Sequence, residues 1–333
     1  MNSISFILII GLLYLLSISI WRKRLVPFTI NESSSFKGIL SVLIILSHVN
    51  FHADLPVFLT ITKWAGTKVA LFFFISGYGL MSSYSIKGRE YLKGFFSKRI
   101  WKIVFPLVFI TAVFLLLYYI DSGLFNSDLL NDLLKGITPL PYSWFAYIII
   151  IFYIFFYFVF LAKWSLQIKS IVMMILAFIF SIGLYHFGFD RAWWVSNLAF
   201  PFGMVYRLNE EKIIQISRTK IGNIVFVPSA LLLAGLFAFL KIEILYVFSY
   251  VFIVLAVIVL LSYSGLPDGR LFNFLGKVSY ETYLIHGAVY YLLRGNHIFI
   301  ENSYIYLMCT ILLTLLLAYI FNKFFSKVYK LKI

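Results

Sequence analysis

The sequence predicts an all-α integral membrane protein, a bundle of about 11 transmembrane helices. Three observations carry that expectation. Of 333 residues, 62% are hydrophobic and only 12% charged, with a mean hydropathy of +0.96, where a soluble chain carries about 25% charge. Apolar windows of roughly 17 to 25 residues, each long enough to cross about 30 Å of hydrocarbon, recur along the chain. The basic residues between them collect in alternate loops, as the positive-inside rule requires.

The spans fall near 3–21, 36–53, 66–85, 100–120, 142–162, 168–187, 191–207, 221–240, 242–262, 272–293 and 303–325. The first, Asn2 to Trp21, has no basic n-region and no small-residue cleavage site, so it reads as a retained span. With its basic inner loop it forms an N-terminal addition, 1–35, ahead of one membrane domain, 36–333. Of the 28 Lys and Arg residues, 22 fall in one set of loops and 6 in the other. That asymmetry puts the N-terminus outside and the C-terminus in the cytoplasm of a cell (inner) membrane protein. The longest outer loop, Asp121 to Pro141, and the inner segments Lys87 to Lys102, Leu208 to Lys220 and Ser264 to Lys277 are all short. The piece Ser76-Gly77-Tyr78-Gly79 predicts close helix approach. Trp21, Trp101, Trp144, Trp164, Trp193 and Trp194 lie near span ends, where indole rings anchor to the interface.

A net charge of +15, held in short clusters between apolar spans, reports topology, and no nucleic-acid partner is expected. The single cysteine, Cys309, excludes a disulfide framework and reads as an inert thiol in an apolar segment.

The stretch Phe36 to Asp54 carries one basic residue at its start, Lys37, and one imidazole within, His48. Eleven residues at the helical rise separate them by about 16 Å and slightly more than three turns, so both share a face. Lys37 is then expected at the headgroup level and His48 near mid-bilayer, where an ionisable group is costly and marks a functional candidate. His286 follows Lys277 by nine residues, reaching a similar depth of about 13 Å. Glu281, at i+4 from Lys277, is set to pair with it. Ser76 lies mid-span; with both histidines and nearby tyrosines it would line a dry cavity holding a general base. A plainer reading stands beside each: an imidazole packed against a neighbouring helix, a serine bonding back to its own. His48 and His52 have a zinc-ligand spacing, but only Asp54 offers a third ligand and no HExxH-type glutamate intervenes, so no metal is expected. From Lys87 to Lys102, 6 basic residues occur in 16 positions. Arg99 and Lys102, one turn apart, single themselves out for a phosphate-rich anionic ligand, while Lys87, Arg89 and Lys93 mark the inner face.

Taken in order, these residues resemble the acyltransferase 3 family of membrane-bound acyltransferases. The family's Arg/Lys, ten residues, His element matches Lys37 to His48. Its FF-x-x-SG-aromatic segment matches Phe73-Phe74-Ile75-Ser76-Gly77-Tyr78, and its R-x-x-R element appears as Arg99-Ile-Trp-Lys102, with Lys in the second place. Its Trp after a proline-bearing outer loop matches Trp144 in PLPYSWF, and its late YLxH element matches Tyr283-Leu284-Ile285-His286. The likeness covers about residues 36 to 325. It implies a ten-helix acyltransferase core extended by one N-terminal helix, in the stand-alone form without the extracytoplasmic hydrolase-like domain of some members.

The resemblance implies transfer of an acyl group, acetyl from cytoplasmic acetyl-CoA, to a hydroxyl of a cell-surface or lipid-linked glycan, with membrane lipid as surroundings. His48 is implied as general base or as transient acyl carrier. Arg99 and Lys102 become donor-binding residues, and Lys37 contacts the donor or orients the helix of His48. His286 would stabilise a developing oxyanion, and Ser76, Tyr78, Trp144, Glu281 and Tyr283 would line the cavity. The acceptor sugar and the oligomeric state are not read from the sequence. Two rival classes stand against this reading. A polysaccharide flippase or polymerase calls for a large outer loop or charges within several spans, and a transporter calls for inverted repeats with broken helices in matching places; the sequence displays neither.

Overall fold

A computed structural model describes residues 30–124, 128–264 and 269–331. Among the described residues there is no strand, only an isolated bridge between Arg294 and Phe299. The principal helices are α1 (Ile30–His48), α2 (Ala65–Lys87), α3 (Trp101–Ser122), α4 (Trp144–Leu161), α5 (Leu166–His186) and α6 (Ala199–Arg218). They continue with α7 (Lys220–Phe239), α8 (Tyr246–Ser264), α9 (Arg270–Lys277), α10 (Ser279–Leu292) and α11 (Ser303–Leu331).

Seven helical stretches are long and apolar enough to cross a membrane: Glu32–Phe51, Ala65–Leu92, Phe96–Ser122, Trp144–Leu161, Leu166–His186, Glu243–Leu261 and Ser303–Lys330. The protein is therefore a multi-pass membrane protein, and helices serve because each satisfies its own backbone groups in hydrocarbon. Each of the seven coincides with an expected span. The expected span 3–21 lies outside the described residues. That at 221–240 corresponds to α7, whose apolar stretch is the shorter Val225–Phe239. The expected span 191–207 is divided between a short helix, Ala192–Val195, and α6, whose second half carries Asn209, Glu210, Glu211 and Lys212.

The span expected at 272–293 breaks at Val278 into α9 and α10. Lys277 ends one helix and Glu281 belongs to the next, so the i, i+4 pair expected of them does not form. Glu281 instead accepts from the Asn322 amide at 3.1 Å.

The chain divides into two compact units. The first contains Val69–Leu92 and Phe155–Asp268, the second Ser34–Lys68, Lys93–Ile154 and Gly269–Ile333. In the first, α2 and α6 cross at Gly77 and Gly203; a Cβ on Gly77 would strike the Phe200 carbonyl, and one on Gly203 the Phe74 carbonyl. Small residues let backbones meet at this range, so dispersion replaces the hydrophobic drive that lipid abolishes. Gly79, in the same sequence piece, faces open space. Tyr78 donates its hydroxyl to the buried Glu210 carboxylate, 2.9 and 3.0 Å from its two oxygens, and Arg207 pairs with the same carboxylate at 3.5 Å. Of the tryptophans expected as interfacial anchors, Trp21 lies outside the described residues and Trp164 is exposed, while Trp193 and Trp194 are core residues.

In the second unit α3 and α11 interlock through aromatic rings. Phe105 meets Phe325 at 5.5 Å between centroids, and Phe109 meets Phe324 at 5.2 Å. Two buried tyrosines link α11, α10 and α1. Tyr306 donates to the Tyr290 carbonyl at 2.7 Å, and Tyr290 to the Ile45 carbonyl of α1 at 2.7 Å. The second bond fixes α10 against the end of α1, and the first ties α11 to α10.

Candidate active site

The second unit assembles the candidate site where α1 ends. The helix begins at Ile30 and its last residue is His48; a 3-10 turn, Val49–Phe51, follows. His48 thus lies three residues from the end of the apolar stretch Glu32–Phe51. The polar residues that follow explain the ending. Asn50 accepts from the Leu55 amide at 3.2 Å and donates to Thr62 at 3.0 Å, holding the chain in a turn and supplying partners that a continued helix would not.

His286, on α10, meets His48 directly. Its Nε2 is 3.0 Å from His48 Nδ1, with the ring centroids 5.1 Å apart. Its Nδ1 is 2.6 Å from the Tyr283 carbonyl oxygen. A carbonyl only accepts, so His286 Nδ1 carries the proton there. With both rings neutral, His286 Nε2 is then the acceptor and His48 Nδ1 the donor. The tautomer chain leaves the half-buried His48 with a lone pair on Nε2. Both nitrogens of His286 are engaged, which leaves that ring no N–H for the oxyanion expected of it.

Tyr142 covers the pair. Its ring stacks on His48 at 4.1 Å between centroids, and its hydroxyl shares a 2.8 Å hydrogen bond with His52 Nε2. The residue sits at φ +63°, a conformation that L side chains rarely adopt. Tyr283 holds it there: the phenol donates to the Tyr142 carbonyl at 2.5 Å and accepts from the Phe145 amide at 3.1 Å. Trp144 starts α4 between these anchors. His52 lies beyond the span, stacked on Tyr290 at 4.7 Å. Burial, and secondly the Arg294 guanidinium that donates to the His52 carbonyl, hold its imidazole below the usual histidine range.

Residues 30–323 match the acyltransferase domain of the acyltransferase 3 family. The chain belongs to this family. It is a membrane acyltransferase, and the matched stretch contains every candidate residue from Lys37 to His286. No curated protein and no solved structure matches it.

Not every residue expected at the acyltransferase site joins the His48–His286 pair. Ser76 and Tyr78 belong to the first unit, where Tyr78 serves Glu210. Arg99 and Lys102, expected on one face, acquire different neighbours. A π-helical turn, Phe96–Ile100, precedes α3 and alters the register between them. Arg99 is near enough to Lys37 for the two charges to interact, whereas Lys102 places its ammonium 5.6 Å from the Tyr329 ring centre.

Sequence reasoning passes over Tyr142, Tyr290 and Lys68. Tyr142 stands beside Trp144 in PLPYSWF, and Tyr290 one turn after His286, but stacking partners leave no periodic signal. By sequence Lys68 counts as an outer-loop charge. It is buried at the start of α2, donating to Ser47 Oγ and the Ile61 carbonyl at 2.6 Å each, and Ser47 immediately precedes His48. A buried ammonium needs such partners, and they belong to other parts of the sequence.

Proposed function

We propose that this acyltransferase moves an acetyl group from cytoplasmic acetyl-CoA to a hydroxyl of a cell-surface or lipid-linked glycan. The observation that carries the reading is the contact of His286 with His48 Nδ1 at 3.0 Å and with the Tyr283 carbonyl at 2.6 Å, because with both rings neutral it leaves the lone pair on His48 Nε2. That nitrogen serves either route. As general base it takes the proton of the acceptor hydroxyl while the oxygen attacks the thioester carbonyl and the CoA thiolate leaves. As acyl carrier it attacks the thioester first and expels the CoA thiolate; the acceptor hydroxyl then displaces the imidazole, and its proton ends on the thiolate. His286 keeps the Nδ1 proton of His48 in place in both, as an orienting partner. Arg99 with Lys37 supplies the positive charge suited to the anionic donor. Tyr142 and Trp144 offer the flat aromatic faces on which sugar rings pack. In this reading the core has ten spans in the cell (inner) membrane, preceded by one more, with the N-terminus outside and the C-terminus in the cytoplasm.

The test is ester-linked acetyl on the purified surface glycan, measured by NMR before and after mild alkali. The gene is deleted and then complemented with wild type or His48→Ala at matched membrane levels. Acetyl lost on deletion, restored by wild type and not by His48→Ala supports the reading. Unchanged acetyl with collapsed chain length or export overturns it in favour of a flippase or polymerase.

A further inference from the structure

A cavity of about 640 Å³ opens at the start of α3 and the end of α11, lined by residues outside the His48–His286 pair. Its wall is graded. Ile100, Trp101 and Val104 give it an apolar side, while Lys98, Lys102 and Tyr329 give it a polar rim. The Tyr329 hydroxyl donates to the Lys102 carbonyl at 3.4 Å, and the Lys102 ammonium lies 5.6 Å from the Tyr329 ring centre. Lys98 donates to the Lys93 carbonyl at 3.5 Å, a neutral acceptor. Among the described residues neither lysine forms an ion pair, so the rim keeps two positive charges for an anion. The π-helical turn Phe96–Ile100 presents Lys98 there, and such turns recur at ligand sites.

Position decides which anion. The cavity sits at the ends of spans Phe96–Ser122 and Ser303–Lys330, of which only 22% and 28% is enclosed by protein, the lowest values of the seven. Their outward faces carry exposed apolar residues such as Val108, Leu116, Leu312 and Leu316. A ligand reaching this cavity therefore comes along the lipid-facing side, with its charge at the interface and its chain in hydrocarbon. We propose that the cavity is a binding site for an anionic phospholipid, whose headgroup phosphate is held by Lys98 and Lys102 and whose acyl chain packs along Trp101 and Val104. Basic rims between transmembrane helices suit phosphate headgroups, and ammonium groups serve them as point charges. Arg99 is not part of this lining, and the site stands whether or not the acceptor is a glycan.

The test uses the full-length purified protein in detergent, titrated with dioleoyl-phosphatidylglycerol and read by native mass spectrometry. Wild type is expected to retain one tightly bound phosphatidylglycerol that dioleoyl-phosphatidylcholine does not replace. The variant Lys98→Gln/Lys102→Gln should bind it about 30-fold more weakly. Lys98→Arg/Lys102→Arg should keep it, as should Lys163→Gln/Lys212→Gln, which removes equal charge elsewhere. Free coenzyme A, added in excess, should not displace the lipid. Equal affinity in wild type and the double glutamine variant overturns the proposal, as does equal binding of phosphatidylcholine. Displacement by coenzyme A overturns it too, and returns the cavity to the acyl donor.

Discussion

His286 Nε2 stands 3.0 Å from His48 Nδ1 although 238 positions separate the two residues in the chain. Their roles are unequal, and that gives the first prediction. His48→Ala removes the atom carrying the free lone pair and should lower kcat by about 10²–10⁴-fold. His286→Ala keeps that atom but frees the Nδ1 proton, so the loss should be smaller, about 10-fold, with a displaced pH–rate profile. His286→Gln, whose carbonyl can accept the same proton, should recover part of it. Equal losses in both alanine variants, with unchanged profiles, would remove the distinction between base and orienting partner.

Tyr283 should act through Tyr142. Tyr283→Phe deletes the bonds to the Tyr142 carbonyl and the Phe145 amide, leaving buried backbone groups short of partners at about 1–3 kcal/mol. Tyr142, at φ +63°, is then released from a conformation that it does not hold unaided. Both Tm and turnover should fall. A variant with full turnover would show that Tyr142 needs no such support.

Tyr78 should act on stability alone. Its hydroxyl bonds both oxygens of Glu210, which is 3% exposed. Tyr78→Phe should cost about 1 kcal/mol, and Glu210→Ala about 1–3 kcal/mol because it leaves donors unmatched. Detergent-solubilised protein would show a lowered Tm with turnover per folded molecule held within about twofold. A selective loss of turnover in Tyr78→Phe would return this tyrosine to the substrate cavity.

His52 gives stability a pH dependence. Its imidazole is held below the ordinary value of 6.5 by burial and then by Arg294. The unfolded chain therefore takes up a proton at higher pH than the folded one. The contribution is fully present above about pH 6.5 and is lost as pH falls below it toward the folded value. Tm should decline on acidification in that window, and His52→Gln should flatten part of the slope. An unchanged slope in the variant would assign the acid sensitivity to other groups.

Much of this protein is determined by the sequence alone, because the responsible forces act locally. Hydrocarbon thickness and backbone hydrogen bonding fix the length and apolar content of each span, so seven stretches could be placed without knowing what they touch. The ordered elements from Lys37 and His48 to Tyr283 and His286 sufficed for the family. Other features depend on groups far apart in the chain. That Lys68 is buried against Ser47, that Tyr142 is fixed at positive φ by Tyr283, and that His48 has one free nitrogen beside His286 each require a partner from another helix. The break at Val278 turns Glu281 from Lys277 to Asn322, and the π turn at Phe96–Ile100 sends Arg99 and Lys102 to different neighbours. Hydropathy and helical spacing describe one segment at a time; side-chain partners and tautomers are decided only when separate helices bring their donors and acceptors within about 3 Å of each other.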